Sequence, residues 1–250
     1  MHETHQRYML IFAEFYSMTR FLHHEVTMRP WKLLDTATVP GEGSELRLYC
    51  RGEEFSIKVG HSELMNSRVH GSEDALAELA CKKLADRPRP RILIGGLGMG
   101  FTLAAALQQL GPDAEIIVAE LVPAVIEWNR GVLSLIAGHP LNDKRISVHE
   151  GDVGQLIRAG QGAYDAILLD VDNGPEGLTR KENDSLYSTA GLSSAFAALR
   201  PGGIFGVWSI SPDHNFSKRL QRAGFNLEEI RAPARGRHGG GRHMIWLGEK

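Results

Sequence analysis

The run Arg91-Ile-Leu-Ile-Gly-Gly-Leu-Gly-Met-Gly100 is a short apolar strand that breaks into glycines and leads directly into a helical stretch, Phe101 to Leu110. Glycine is needed in such a turn because a Cβ would block both the tight bend and close backbone approach. The free N–H groups of the first helical turn then attract polar groups of a nucleotide-like ligand. A Gly-x-Gly-x-Gly spacing alone is weak evidence. It is strengthened by Glu120, which closes a second apolar run, Glu115 to Ala119, and whose carboxylate is placed to grip ribose hydroxyls.

Strands and helices alternate through this region: strand Arg91 to Ile94, helix Phe101 to Leu110, strand Glu115 to Ala119, helix Pro123 to Ile136, strand Arg145 to His149, helix Val153 to Ala159, strand Tyr164 to Leu169. Alternation of this kind predicts right-handed crossovers and a parallel sheet covered on both faces. A helix over Ser188 to Leu199, a turn Arg200-Pro-Gly-Gly203, strand Ile204 to Trp208 and helix Asn215 to Ala223 follow. The last pair, Phe225 to Arg231 and His243 to Leu247, is joined by a loop too short for a crossover helix and so reads as antiparallel. The expected fold is α/β: a seven-stranded, Rossmann-like sheet with a terminal antiparallel hairpin, the plan of class I S-adenosylmethionine-dependent transferases. Before it, Leu46 to Arg51, Phe55 to Val59 and Glu63 to Ser67 read as a small antiparallel β-meander, and Ser72 as the cap of a helix that Arg87-Pro-Arg-Pro90 ends.

In an open parallel sheet the ligand lies beyond the carboxyl ends of the strands. There the chain offers Gly96, Gly98 and Gly100 after the first strand, Glu120 after the second, Asp152 after the third and Asp170 after the fourth. Asp152 is placed to accept a hydrogen bond from an adenine amino group, and reads equally as a helix cap. Asp170-Val-Asp-Asn-Gly-Pro175 puts two carboxylates where the fourth strand emerges into the crevice, although these residue types also form turns. Phe101 and Trp208 read as core, or as aromatic faces toward a cation.

Several motifs together resemble the spermidine/spermine synthase family of aminopropyltransferases: Ile94-Gly-Gly-Leu-Gly-Met-Gly100, Ala119-Glu120, Gly151-Asp152, Tyr164-Asp-Ala-Ile-Leu-Leu-Asp170, Leu186-Tyr187 and Leu199-Arg-Pro-Gly-Gly203, preceded by a β-meander and helix in the family's order. The resemblance implies that Glu120 holds ribose, Asp152 adenine, and that Asp170 is the catalytic acid beside an attacking amine. It implies S-adenosylmethionine or its decarboxylated form as cofactor, a small-molecule amine as acceptor, and a homodimer formed through the N-terminal region. Three departures stand out. Gly98 replaces the family's Asp in the glycine loop, Asn173 replaces an Asp that helps hold a diamine, with Asp172 beside it as a substitute, and Ser72-Glu73 replaces a Tyr-Gln pair. Loss of the acid at Gly98 suits a cofactor that keeps its carboxylate, by roughly 0.3 to 1 kcal/mol, and so slightly favours methyl over aminopropyl transfer.

Composition narrows the alternatives. A formal charge of −2 gives no general field for nucleic acid, and no apolar run approaches the ~20 residues of a membrane span. Cys50 and Cys81 lie far apart, without metal spacing, as expected of a reduced cytoplasmic compartment. The expected organisation is an extension over residues 1–28, either an amphipathic helix or leader sequence upstream of Met28, then the meander and helix over 29–86 and the transferase domain over 91–250. Two further readings remain: a non-catalytic nucleoside-binding member of the family, and an NAD-dependent dehydrogenase, which Phe101 disfavours where Gly-x-Gly-x-x-Gly wants a glycine.

Overall fold

Strand β5, Arg91–Gly95, is apolar from Ile92 onward because both of its faces are covered. Its neighbours are β6 (Glu115–Glu120) and β8 (Tyr164–Leu169), both parallel to it, with Ile92 opposite Ile116 on one side and Ala166 on the other. Side chains alternate across the sheet. Ile92 and Ile94 join one core, with Leu48, Leu76 and Leu168, while Leu93 joins the other, with Leu169, Phe205 and Trp246. The computed structural model describes residues 29–41, 43–171 and 183–250. Expectations for the 1–28 extension and for Asp172 and Asn173 fall outside those residues.

The main sheet adds β7 (Ile146–Glu150), β9 (Leu199–Ser209), β10 (Asn226–Pro233) and β11 (Arg242–Glu249), in the order β10-β11-β9-β8-β5-β6-β7. β11 runs antiparallel to both β10 and β9, as the short connecting loop demanded. The order reverses between β5 and β8, so the crevice beyond their ends is the topological switch point where such sheets bind ligands. Helix α1, Gly71–Lys82, packs against α2, Phe101–Gln109, and lies across β9. The remaining described helices are α3 (Pro123–Arg130), α4 (Val153–Ala159), α5 (Asn183–Tyr187), α6 (Thr189–Ala198) and α7 (His214–Arg222).

A separate four-stranded antiparallel sheet precedes α1: β1 (Lys32–Thr38), β2 (Glu45–Arg51), β3 (Glu54–Val59) and β4 (Ser62–Asn66). β1 has no counterpart in the sequence reading. It is an edge strand exposed along nearly its whole length, so it carries no in–out alternation to detect. Lys32–Lys250, holding both sheets, is one compact unit.

Three other elements differ from expectation. Helix α3 stops at Arg130 rather than Ile136, because Gly131 costs a helix about 1 kcal/mol, and a 3₁₀ turn follows at Ser134–Ala137. The expected Arg200–Gly203 turn is absorbed into β9 as an irregularity, the register jumping from Leu199 opposite Tyr164 to Ile204 opposite Ala166. Ser72 is not a cap: α1 begins at Gly71 without a side-chain cap, and Ser72 points inward, fully buried. Ser188 does cap α6, accepting from the Gly191 N–H at 3.1 Å.

At the end of β8 away from the crevice, Asp165 is 2% exposed. It accepts from Arg87 at 3.0 Å, from Arg200 at 2.7 Å and from the Arg91 backbone N–H at 2.8 Å. Two guanidiniums and an amide compensate the buried charge and pin the Arg87–Pro90 linker to the sheet. Cys81 is buried in the first core, its thiol pushed up to about 12 by burial, and is chemically inert there.

Candidate active site

The glycine loop turns beside Asp170 because nothing larger fits. Gly96 has φ +88°, and a Cβ there would lie 2.2 Å from the Asp170 carbonyl oxygen. The two strand ends are laced together: the Asp170 N–H donates to the Gly95 carbonyl and the Gly96 N–H to the Ala119 carbonyl, each at 2.9 Å. Gly98 has φ +53°, and a Cβ on it would come within 2.5 Å of the Met65 methyl on β4. Buried Asn129 of α3 steadies the loop from behind, donating to the Gly98 carbonyl at 2.8 Å. Gly100, at φ +84°, turns the chain into α2 against Asn129 and Pro140 and is not part of the cleft wall.

The cleft itself encloses about 930 Å³, its open mouth included. Gly96, Gly98, Glu120, Asp152 and Asp170 line one side, and Val39, Leu46, Ile57 and Met65 of the small sheet line the other. Four strand ends therefore meet at one edge, as the sequence predicts, and the meander covers them with an apolar wall.

Glu120 closes β6 with 7% of its surface exposed. One carboxylate oxygen accepts from the Leu97 N–H at 2.9 Å and the other from the Val122 N–H at 2.8 Å. Burial pushes its pKa up, while these backbone donors pull it back down. The bonds leave lone pairs for hydroxyl donors. Asp152 is the cap its sequence context suggests, closing α4 by accepting from the Gly154 N–H at 2.8 Å, and it also lines the cleft. Its other oxygen meets Arg158 at 3.2 Å in an exposed ion pair.

Asp170 is differently placed. It is partly buried, and its Oδ2 accepts from the Thr102 hydroxyl at 2.5 Å. Burial raises its pKa to about 6 against the opposing Thr102 bond, and Asp74 adds to the rise. On the side toward α1 stand residues that no sequence motif groups together. Glu73, 7% exposed, accepts from the Ser72 hydroxyl at 2.6 Å. Burial and the charge of Asp170 push Glu73 up to about 8. Ser72 also receives the Trp208 indole N–H at 2.9 Å and meets His243 Nδ1 at 2.8 Å. His70 stacks on Phe101 with ring centroids 4.0 Å apart and pairs with Asp74 at 2.7 Å. Phe101 and Trp208 are thus engaged by histidines and Ser72 rather than presented as bare aromatic faces. Tyr187, 2% exposed and set edge-on to Phe216, is a core aromatic. Among the described residues no group of side chains could hold a metal ion, and no helix is long and apolar enough to cross a membrane.

A seven-stranded sheet in this order, with acids at successive strand ends around the switch point, defines a class I S-adenosylmethionine-dependent transferase fold. Residues 79–219, more than half of the chain, match the model of the spermine/spermidine synthase domain, and the chain belongs to that family. It is 35% identical over 177 residues to a polyamine aminopropyltransferase of Corynebacterium efficiens, covering 69% of this chain and 30% of that protein. It is 30% identical over 132 residues to one from Mycobacterium tuberculosis, covering 52% of this chain and 24% of that protein. The chain thus spans less than a third of the length of these relatives. Among solved structures it resembles spermidine synthase from Thermotoga maritima, with TM-score 0.71 at 16% identity over 92% of this chain and 84% of that one. It also resembles a spermidine synthase in complex with the transition-state analogue AdoDATO, with TM-score 0.70 at 15% identity, covering 92% and 83% respectively. Family membership sets aside the dehydrogenase reading.

Proposed function

We propose that this protein transfers an aminopropyl group from decarboxylated S-adenosylmethionine to a small amine, with Asp170 as the group that orients the amine and accepts its proton. The observation that carries this reading is the placement of Asp170, raised to about 6, against the glycine loop and within one cleft with Glu120 and Asp152. The relatives named above are aminopropyltransferases, and none of them is a methyltransferase.

The expected lean toward methyl transfer is withdrawn. It rested on an acid missing at Gly98 and a preference worth less than a tenfold change. Two features work against it: the space beside Gly98 is taken up by Met65, and Glu73 stands as a second carboxyl beside Asp170. Among the described residues that line the cleft an α-carboxylate meets no cation, whereas an ammonium meets the Asp170 carboxyl.

The residues fit the nucleoside part of such a cofactor. Glu120 has lone pairs facing the cleft for ribose hydroxyls, Asp152 stands at the adenine end, and the apolar wall of Leu46, Ile57 and Val39 suits a flat ring. A bound sulfonium supplies a carbon open to attack and a good leaving group. The protein's task is then to present a neutral amine in line. A free alkylamine with pKa ~10.4, lysine being the model, is almost wholly protonated at neutral pH. Asp170 removes that proton and holds the nitrogen, and exclusion of water by the meander wall lowers the amine's own pKa. Holding the partners in line contributes most to the rate.

The test is a thermal-shift comparison of decarboxylated S-adenosylmethionine, S-adenosylmethionine and methylthioadenosine at matched concentrations, followed by product analysis with a panel of primary mono- and diamines. A ligand at 100 times its Kd stabilises by about 2.7 kcal/mol. Preference for the decarboxylated compound, with aminopropylated product, is expected. A shift and methylated product with S-adenosylmethionine alone would overturn the reading. Nucleoside binding without turnover on any amine would leave a binding protein in its place.

A further inference from the structure

Alkyl transfer to a protonated amine produces a proton that has to leave. The new N–C bond forms as the C–S bond breaks, sulfur keeps the electron pair, and one N–H proton is lost for each amine that enters as ammonium. Asp170 can accept it, and while substrates fill the cleft that proton needs an outlet other than the open mouth.

A line of hydrogen bonds leads out of this corner. Ser72 Oγ lies 2.6 Å from Glu73 Oε2 and 2.8 Å from His243 Nδ1. The Trp208 indole donates to the same oxygen at 2.9 Å. That bond uses one of the hydroxyl's two lone pairs, leaving one proton to give and one lone pair to fill. Ser72 must therefore donate to one of its two remaining partners and accept from the other. The inner end, Glu73, is dry at 7% exposure, and the outer end, His243 on β11, is half-buried. Thr102, whose hydroxyl bonds Asp170, also reaches the main-chain carbonyl of Glu73 at 3.4 Å, and the charge of Asp170 acts on the Glu73 carboxyl, so the two acids are near neighbours although this hydroxyl does not join their carboxyl groups.

We propose that Glu73, Ser72 and His243 form the exit route for the proton released at Asp170, an inference that rests on the alkyl-transfer reading above. Glu73, protonated from the amine site, passes its proton to Ser72 Oγ as the Ser72 proton moves to His243 Nδ1. The imidazolium so formed releases its Nε2 proton to water. Glu73 is left ionised, accepting from Ser72, and Ser72 accepts the Nδ1–H of His243. No atom is consumed, and one proton crosses from the cleft to solvent.

Burial and Asp170 push Glu73 up to about 8, so it carries a proton at neutral pH, and burial holds His243 below its usual value, so the hand-over to His243 is the uphill step and the imidazolium, once formed, gives its proton readily to water. The other titratable groups facing the corner are His70, raised by its bond to Asp74 and acting to lower Glu73, and Asp74, which raises Asp170.

The experiment measures kcat and KM across pH for wild type, Ser72→Ala and His243→Ala, with decarboxylated S-adenosylmethionine and the amine panel, in the presence and absence of added imidazole. Both variants should lose on the order of 10² in kcat, with donor KM unchanged and with their thermal shift on methylthioadenosine retained as proof of folding. Imidazole should restore His243→Ala but not Ser72→Ala. Wild-type kcat in both variants, or a loss in His243→Ala that imidazole leaves untouched at every pH, would overturn the relay while leaving the transferase reading intact. Absence of transfer by the wild type to any amine would remove that reading and this proposal with it.

Discussion

Glu120 and Asp170 close the two strands that flank β5, yet their surroundings are opposite. Glu120 has backbone N–H groups on both oxygens and no other acid acting on it. Asp170 has one hydroxyl, with Asp74 and Glu73 as neighbours. The first is held by fixed dipoles and suits neutral hydroxyl donors. The second lies among acids, with His70 paired to Asp74 rather than to Asp170, and suits a group that takes up a proton or faces an ammonium. Equivalent places in a fold thus acquire different chemistry from what packs around them.

The sharpest way to break this contrast is Asp170→Asn. It should lower kcat by roughly 10² to 10⁴ while leaving the thermal shift on methylthioadenosine unchanged. Survival of turnover would mean that Asp170 is not the base. A third acid serves as a control, since Asp165 lies on the same strand but is compensated by two arginines. Asp165→Ala should cost about 1–3 kcal/mol in urea denaturation, because it leaves the Arg91 backbone N–H and two part-exposed guanidiniums without their acceptor. A smaller loss would show that the linker is held by packing instead.

Glu120→Gln should act on binding rather than turnover. Its amide nitrogen would face a backbone donor, leaving one N–H unsatisfied at about 1–3 kcal/mol. Calorimetry should then show nucleoside affinity falling about tenfold per 1.4 kcal/mol, with kcat at saturation little changed. An unaltered Kd would remove Glu120 from the ribose role.

The last contrast is read in stability across pH. Glu73 is raised in the folded state from the ordinary 4.5 to about 8. Its stabilising contribution is therefore fully present below pH 4.5 and is lost as pH rises through about 8, because the folded state keeps a proton that the unfolded chain releases. Glu73→Gln should match wild type in the acid range and melt higher above pH 8, by roughly 2–4 °C per kcal/mol for a domain of this size. Parallel Tm curves across that range would show that Glu73 is not raised in the folded state.

The strand and helix order of the main sheet was readable from the chain because buried parallel strands are apolar runs bounded by turn residues, and each run marks its own end. Gly96, Glu120, Asp152 and Asp170 stood out because each follows such an end, and all four line the cleft. β1 was not, since an exposed edge strand leaves no alternation, and Ser72 was misread as a cap because a buried and a capping serine look alike in one dimension.

Local pattern was sufficient wherever a residue's role follows from where a strand stops. It could not reach the α1 side of the site, where Ser72 meets His243 across 171 positions of chain. Nor could it foresee that Met65 of the small sheet would occupy the space beside Gly98. Those contacts exist because α1 packs across β9 and the meander folds over the strand ends, and the pKa values of Glu73 and Asp170 follow from the dry space that packing creates. Burial and proximity between distant segments are properties of the assembled fold, and they decide which of several acids carries a proton.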